Sequence, residues 1–587
     1  MKKKNNFIFL LICLTIIFAQ RNFTQTITSV QPVSKYFDGM GVNIHPIKYE
    51  NPTGNLVISD DDPFYFVKLK EALYDGGFKY VRTAIPIKLM CGDSTHQRDS
   101  IFAVSRLFEL YQTYGVKTFW VVNHYAVAPW DPLFTAGCYL DTIKTDRANF
   151  IDEVNGFTNP NNNLPFGLDY IYAVEGLNEP EHFMVYGCRD TLPVKQFYQQ
   201  KWDEITYRTQ KGIFNKVTGQ NNYSHLKVLA PSIWEFYRGA IDSLLAQGPI
   251  ENYFYAGNLH LYPDVVPNAF YSWDNLKFHP TFFVPLYLQK FYNGISNYGN
   301  NKPKYVTETG YLSQSASYDT TYEDINEIAA AKYISFLPLE FFKNGIEKVI
   351  FYKLFENNSG IKDRLGFIKR DYSIKPMFNT LKNITKILSD TANINQSINI
   401  LQFTTNYFSL TLRTMAYQLK NDELVLAVWR GDQGSACYDF QSNSLINVNP
   451  ININFSLNQN NINKIYVYDP VYSISPIDST NNNSLSVNLT DRLLLIKLKL
   501  EGTTSVTLDQ NVNTKVYILP NPASNRLIVE GINENDFEII IYTLNGEELK
   551  KLSNQKNIDI SELANGLYFI RIKTPKQIIN HKVLVMK

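Results

Sequence analysis

Short apolar stretches rich in β-branched and aromatic residues alternate with longer stretches of helical periodicity between residues 36 and 385. The helical stretches include Phe64–Tyr74 and Ile325–Phe342, each followed by a glycine-containing turn. The apolar stretches predict eight strands: Gly41–Ile44, Tyr80–Thr83, Thr118–Val122, Ile171–Val174, Leu226–Leu229, Ala256–His260, Lys304–Thr307 and Lys348–Tyr352. Strands that alternate with helices form parallel sheets, so the pattern predicts an α/β fold.

Eight such units are what a closed (β/α)8 barrel, the TIM barrel, requires. An open doubly wound sheet is the alternative. The Gly-x-Gly-x-x-Gly sequence typical of dinucleotide-binding sheets of that kind does not follow the first predicted strand. We therefore expect a barrel over residues 26–388.

The pattern changes after residue 388, where short alternating strands are separated by asparagine-rich turns. Leu424–Trp429, Lys464–Tyr468 and Leu493–Lys497 are three of these strands, and they predict a β-sandwich over residues 389–505. Residues 506–513 read as a linker. Residues 514–587 again show short, evenly spaced strands and predict a separate small β-sandwich.

The N-terminus has the pattern of a secretory signal peptide over residues 1–25. Three lysines, Lys2–Lys4, precede the apolar stretch Phe7–Ala19, which is short for a spanning helix. We expect cleavage between Ala19 and Gln25 and no membrane span in the mature protein. The net charge is +1 over 587 residues, which argues against electrostatic capture of nucleic acid or of an anionic membrane.

Four cysteines remain after the predicted signal peptide: Cys91, Cys138, Cys188 and Cys437. An oxidising compartment permits disulfides, but four cysteines in so long a chain form no disulfide framework. A Cys138–Cys188 bridge between neighbouring loops and free buried thiols are both open. The spacings fit no zinc site, and we expect neither a metal nor another cofactor.

Two glutamates lie where predicted strands end. Glu179 stands in the string Asn178-Glu179-Pro180 after the fourth strand, and Glu308 stands in Thr307-Glu308-Thr309 after the seventh. Cleavage of a glycosidic bond uses two carboxyl groups, one a protonated acid and the other an ionised nucleophile or base. A solvated or salt-bridged loop glutamate is the alternative for each residue taken singly.

The Asn-Glu-Pro string and the later strand-end glutamate resemble the acid/base and nucleophile motifs of a large clan of retaining glycoside hydrolases with a TIM barrel, over residues 36–385. The resemblance implies that Glu179 is the acid/base and Glu308 the nucleophile. It also implies an arginine beside the nucleophile, which Arg82 matches, and an asparagine for the sugar 2-hydroxyl, which Asn178 matches. A surface ion pair and a turn-forming asparagine are the alternatives for these two residues.

Three further residues are candidates for substrate binding. His260 and Tyr262 resemble a His-x-Tyr motif of the clan, in which the tyrosine contacts the nucleophile and the histidine lines the sugar site. A buried, hydrogen-bonded core histidine is the alternative for His260. His124, after the third strand, is the last candidate. Many members of the clan carry a tryptophan after the eighth strand, whereas this chain has Tyr352-Lys353, which leaves the family within the clan open.

The C-terminal segment resembles the C-terminal sorting domain of the type IX secretion system. The resemblance rests on Leu519-Pro520-Asn521-Pro522, Leu544-Asn545-Gly546, Leu563-Ala564-Asn565-Gly566 and the lysine-flanked C-terminus. It implies export through the periplasm to the outside or the cell surface, with the secretion machinery as partner. A small β-sandwich that binds some other ligand is the alternative.

Together these features predict a secreted retaining β-glycosidase or endo-glycanase that acts on polysaccharide or oligosaccharide. The alternative from another class is a non-catalytic carbohydrate-binding or adhesion protein on a degenerate barrel.

Overall fold

The computed structural model divides into two compact units, Met1–Glu501 and Gly502–Lys587. In the first unit it describes residues 23–27, 30–46, 49–50, 57–58, 63–84, 97–122, 166–180, 192–219, 223–234, 246–263, 278–294, 301–314, 324–356, 364–389, 398–406, 412–420, 422–439, 442, 444–459 and 461–501. In the second it describes residues 517–519, 523, 525–530, 532, 536–543, 547–575 and 578–585.

The described part of the first unit contains a parallel sheet that curves into a barrel, and this confirms the predicted α/β barrel. Its eight strands run in sequence order around the sheet, and the eighth pairs with the first. The strands are Met40–Asn43, Tyr80–Ala84, Lys117–Val122, Ile171–Leu177, Lys227–Leu229 continued by Ile233–Trp234, Gly257–His260, Lys304–Thr309 and Ile346–Phe351. All eight overlap the strands predicted from the sequence.

Helices separate the strands wherever the connection is described. They are Ser34–Asp38, Pro63–Asp75, Gln97–Tyr114, Leu192–Thr218, Pro280–Gly294, Glu327–Ile334, Leu337–Lys343 and Pro376–Leu388, with 3-10 turns at Ile250–Tyr253 and Gln433–Ser435. The predicted helix Ile325–Phe342 is two helices, because Pro338 lies in the first turn of the second one and lacks the N–H that would continue the first. Among the described residues no helix combines the length and the apolar character needed to cross a membrane.

Two sheets form the predicted sandwich, and their strands pair antiparallel except for Gln31–Pro32, which runs parallel to Leu412–Lys420. The four-stranded sheet contains Phe23–Ile27, Leu401–Thr405, Ile451–Leu457 and Ser484–Leu489. The six-stranded sheet contains Gln31–Pro32, Leu412–Lys420, Glu423–Arg430, Leu494–Leu500, Ile462–Tyr468 and Pro476–Thr480. Two-stranded pairs are formed by Tyr49–Glu50 with Val57–Ile58, Ser313–Gln314 with Ile325–Asn326, and Tyr438–Asp439 with Ser444–Leu445.

The sandwich takes strands from both sides of the barrel. Phe23–Ile27 precedes the barrel and pairs antiparallel with Leu401–Thr405, which follows it. Phe23–Ile27 also overlaps the end of the predicted signal peptide. The predicted domain limits 1–25, 26–388 and 389–505 stay predictions, but residues that precede the first barrel strand contribute to the sandwich.

One face of the six-stranded sheet packs against the helices of the barrel. The Trp429 ring stacks on Phe336 with centroids 6.3 Å apart, and its Nε1 donates to the buried carboxylate of Glu340 at 2.7 Å. Thr281 donates to the same oxygen at 2.8 Å. Because an unpaired buried carboxylate is costly, this network fixes the contact between barrel helices and sandwich.

The second unit is built from two small antiparallel sheets, as predicted. One contains Tyr517–Leu519, Arg526–Glu530 and Asn557–Asp559. The other contains Glu548–Ser553, Glu538–Tyr542, Gly566–Lys573 and Ile578–Val585. Their inward residues, among them Ile539, Ile541 and Ile570, form a separate apolar core.

Candidate active site

The two strand-end glutamates meet at the carboxyl end of the barrel strands. Glu308 lies in the seventh strand and is 8% exposed, and Glu179 is half-buried two residues after the fourth. A carboxylate oxygen of Glu179, a ring nitrogen of His260 and a carboxylate oxygen of Glu308 all lie within 4.8 Å of one another. The two acids are therefore close enough to act on one small group.

Glu179 is held in an unusual backbone conformation. Its φ is +42°, in the left-handed region that residues other than glycine rarely adopt. Its N–H donates to the Ser232 carbonyl at 2.9 Å, and Asn178 forms a bridge to the same residue. These bonds to Ser232, which lies between the two parts of the fifth strand, offset the cost of the backbone conformation.

Arg82, in the second strand, is almost completely buried and organises the acidic groups. Its Nη1 donates to Glu308 Oε1 at 2.5 Å. Its Nε and Nη2 donate to the two oxygens of Glu175 at 2.8 and 2.6 Å, and Nη2 also donates to Asn178 Oδ1 at 2.8 Å. A planar guanidinium suits such a fork, which fixes Glu308 relative to the fourth strand.

Asn43, at the end of the first strand, completes this arrangement. Its Oδ1 accepts from Arg82 Nη1 at 2.9 Å. Its Nδ2 donates to the carbonyl oxygens of Thr307 and Phe351, each at 3.1 Å. One amide therefore ties Arg82 to the first, seventh and eighth strands, so the guanidinium is held from two sides.

His260 and Tyr262 approach the acids from the end of the sixth strand. Tyr262 donates its hydroxyl to Glu308 Oε2 at 2.7 Å. His260 Nδ1 lies 2.6 Å from Glu179 Oε1 and 3.5 Å from Glu308 Oε2. With Arg82 on Oε1 and Tyr262 on Oε2, both oxygens of Glu308 accept a hydrogen bond, which fixes the orientation of the carboxylate.

The electrostatics follow from burial and these contacts. Burial opposes ionisation of Glu175, but the charge and hydrogen bonds of Arg82 outweigh it and lower the pKa of Glu175 to about 2. Burial likewise opposes the charged form of His260. The carboxylates of Glu308, Glu175 and Glu179 outweigh that effect and raise the pKa of His260 to about 9. Burial, reinforced by Glu308, raises the pKa of Tyr262 well above its usual range, so its hydroxyl stays a donor.

The same trio, Glu179, His260 and Glu308, offers the oxygen and nitrogen ligands that a divalent cation takes. Each atom already has a partner: Glu179 Oε1 faces His260 Nδ1, and Glu308 Oε2 accepts from Tyr262. The Arg82 charge beside Glu308 also opposes a second cation. We therefore interpret the trio as a hydrogen-bonded set of acids and an imidazole.

The structure brings together six of the seven residues proposed from the sequence: Glu179, Glu308, Arg82, Asn178, His260 and Tyr262. His124 lies outside the described residues, as do Cys91, Cys138 and Cys188. Cys437 is a buried free thiol. Tyr352, half-buried, follows the eighth strand where many clan members carry tryptophan.

Two residues of the site, Asn43 and Glu175, were missing from the sequence-based set. The sequence already indicates that Glu175 is a paired core acid and not a third catalytic residue, because it is the one charged residue in the apolar strand Ile171–Leu177. A buried carboxylate needs a cationic partner, and Arg82 is its counterpart in the strand Tyr80–Ala84. Asn43 carries no signal beyond its place at a strand end.

The shifted pKa values predict how stability depends on pH. Glu175 is shifted downward, so its contribution is complete above about pH 4.5 and is lost as the pH falls towards 2. His260 is shifted upward, so its contribution is complete below about pH 6.5 and is lost as the pH rises through 9. Each shift corresponds to about 3 kcal/mol. We expect these two groups to contribute most to the free energy of unfolding between pH 4.5 and 6.5.

Urea unfolding across pH 2–10 checks this expectation. The acid-side loss should be smaller in Glu175→Gln than in wild type, and the alkaline loss smaller in His260→Asn. Glu71→Gln, at an exposed helix position, is the matched control and should follow the wild-type curve. Curves for Glu175→Gln and His260→Asn that run parallel to the wild-type curve would contradict the assigned pKa shifts.

Residues 515–586 match the family model of the secretion system C-terminal sorting domain. These residues are a type IX sorting domain. The sorting domain addresses the protein to the type IX machinery, so the chain is exported and is secreted or held at the cell surface.

The first unit resembles solved structures in fold. A glucosidase from Croceicoccus marinus matches with a TM-score of 0.52 and 10% identity, over 81% of this chain and 97% of that chain. An α-L-arabinofuranosidase from Thermotoga maritima matches with a TM-score of 0.50 and 10% identity, over 82% of this chain and 100% of that chain. No curated protein matches the sequence. Similarity at this level establishes the barrel fold.

Proposed function

We propose that the barrel is a retaining glycosidase that hydrolyses O-glycosidic bonds by double displacement. The observation that carries the proposal is the approach of the two carboxyl groups, with oxygens of Glu179 and Glu308 within 4.8 Å. Retaining enzymes place the two carboxyl groups about 5–5.5 Å apart, whereas inverting enzymes leave about 6.5–9.5 Å for a water molecule. The spacing favours retention.

In the first step, Glu308 attacks the anomeric carbon while Glu179 gives its proton to the departing glycosidic oxygen. The carbon–oxygen bond breaks, and a bond from the sugar to Glu308 forms. Arg82 and Tyr262 orient Glu308 for this attack through their hydrogen bonds at 2.5 and 2.7 Å. In the second step, Glu179 takes a proton from water, whose oxygen displaces Glu308.

The fold and the predicted export of the chain are consistent with this chemistry. The solved structures of the same fold named above are a glucosidase and an arabinofuranosidase. Export places the protein where polysaccharide and oligosaccharide substrates are found. A polysaccharide or oligosaccharide is accordingly the substrate class we propose.

The test is a hydrolysis assay of the mature chain on aryl β-glycosides and a polysaccharide panel, with Glu308→Gln as control. Proton NMR of the first product should show the anomer of the substrate. A folded wild-type protein that binds a glycan on the panel and cleaves none would support the non-catalytic alternative. First-formed product of opposite configuration would contradict retention.

We expect the sorting domain to be needed for export and not for catalysis. Deletion of residues 514–587 should leave kcat/KM of the purified enzyme within about twofold, because the domain has its own apolar core. In the native host the same deletion should retain the protein in the periplasm. Fractionation with immunoblotting measures the second effect. Loss of catalysis in a truncated chain with an unchanged melting temperature would show that the domain serves the active site.

A further inference from the structure

His260 makes a short contact with the acid/base residue Glu179, and that contact constrains where a proton lies. Nδ1 of His260 is 2.6 Å from Glu179 Oε1, and the ring is completely buried. Neither a bare nitrogen nor a bare carboxylate oxygen can donate, so a contact of this length contains one hydrogen. Either the ring donates to an ionised Glu179, or a protonated Glu179 donates to the ring.

The charges around the ring favour the first arrangement. Three carboxylates face His260: Glu179 at 2.6 Å, Glu308 at 3.5 Å and Glu175 at 3.9 Å. One guanidinium, Arg82, has its Nη2 3.3 Å from Nε2, but the two Nη2 hydrogens are donated to Glu175 Oε1 at 2.6 Å and Asn178 Oδ1 at 2.8 Å, which leaves Nε2 able to hold its own proton. The Arg82 charge is divided between Glu175 and Glu308. With a neutral ring and ionised acids, three negative charges face one positive charge in a buried site. A positive ring lowers this imbalance.

The geometry points to His260 and Glu179 as one acid/base unit that holds a single proton, with the proton resting on His260 Nδ1. This inference rests on the proposed function and deepens it, since it names where the catalytic proton is kept. His260 acts through Glu179 and is a positioning residue. The pair has one exchangeable proton along the 2.6 Å contact, so the imidazolium with ionised Glu179 and the neutral ring with protonated Glu179 differ by one short transfer.

The proton balance closes over both chemical steps. In the first step the proton moves from Nδ1 to Glu179 and on to the departing glycosidic oxygen, which leaves a neutral ring and an ionised Glu179. In the second step Glu179 removes a proton from water and passes it back to Nδ1. The pair returns to its initial state, and no further donor is needed.

This arrangement predicts a distinct pH dependence. A glutamic acid working alone loses its proton as the pH rises past its own range, whereas the pair holds its proton until the imidazolium deprotonates. The pKa of His260, raised to about 9, fits this expectation. Activity should therefore persist to higher pH than a lone acid allows.

The direct test is nitrogen-15 NMR of the histidine rings in the full mature chain without substrate. At pH 7 His260 should show both ring nitrogens protonated, and it should titrate near pH 9. In Glu179→Gln its titration should move to lower pH by at least one unit. His279 is the internal control, because it is equally buried, faces Ser435, and has a pKa lowered to about 3 by burial. It should remain neutral throughout, and His260→Asn identifies the signal.

A neutral His260 ring at pH 7, or a titration that Glu179→Gln leaves unchanged, would overturn the inference. Because this measurement needs no turnover, it separates a failure of the shared proton from a failure of the proposed function. A kinetic measurement adds a second readout in the active enzyme. In His260→Asn the loss of kcat/KM should be about 10-fold larger at pH 8 than at pH 5, because the alkaline limb moves down by about two units. An equal loss at both pH values would mean a purely structural role and would also overturn the inference.

Discussion

Glu308→Ala should lower kcat/KM on every substrate by on the order of 10⁵-fold, the scale expected when a covalent nucleophile is removed. The side chain is 8% exposed and holds the two donors Arg82 and Tyr262, so no neighbouring carboxylate replaces it. Glu179→Ala should instead cost about 10²–10⁴-fold, the range for a lost general acid and base. That loss should be small in the first step when the substrate has a good leaving group.

Azide distinguishes the two roles by the configuration of its product. In Glu179→Ala, azide should attack the glycosyl-enzyme in place of activated water and give a glycosyl azide of retained configuration. In Glu308→Ala, azide should occupy the space of the missing carboxylate, attack the substrate directly and give the inverted product. Chromatography and NMR of the azides measure this. Retained azide from Glu308→Ala would mean that the roles are exchanged.

Arg82→Ala should affect stability and catalysis together. Loss of the guanidinium leaves Glu175 and Glu308 buried without their hydrogen-bonded partner Arg82, and breaking a buried pair in this way costs about 3–5 kcal/mol. It also removes a preorganised donor from the nucleophile, which should reduce kcat by about 10²–10³-fold. Because an ionised carboxylate without its cation is disfavoured, the acidic limb of kcat/KM should move to higher pH.

The double variant Arg82→Ala/Glu175→Gln separates the two effects. Removing the Glu175 charge should restore much of the free energy of unfolding and little of the activity, since Glu308 remains without its donor. Urea unfolding and pH–rate profiles of both variants provide the measurements. An Arg82→Ala enzyme with an unchanged profile and a stability loss below about 1 kcal/mol would behave like the loss of a surface ion pair and would contradict the assigned role.

The sequence predicted the parts of the site that follow from topology. Strand ends of a parallel barrel meet at one edge, so Glu179 and Glu308 were expected together once their strands were assigned. The two-pronged contact of Arg82 with Glu175 was not predictable in detail, because it depends on how the second and fourth strands are each registered against the third strand between them. The left-handed conformation of Glu179 and the amide bridge of Asn43 depend on neighbours that are distant in sequence. The pairing of Phe23–Ile27 with Leu401–Thr405 was not predicted for the same reason, since it joins segments that are distant in sequence.

That last pairing has a consequence for how the chain matures. Residues 28–400 lie in the chain between two strands that are neighbours in the four-stranded sheet. Phe23–Ile27 therefore cannot pair with Leu401–Thr405 until synthesis has passed residue 405. Contacts this distant in sequence form slowly, because the entropy of a long loop is lost before they contribute. Once formed, these contacts hold together the chain segments that precede and follow the barrel. A protease that nicks one barrel loop outside the cell then leaves two fragments that stay joined through the sandwich.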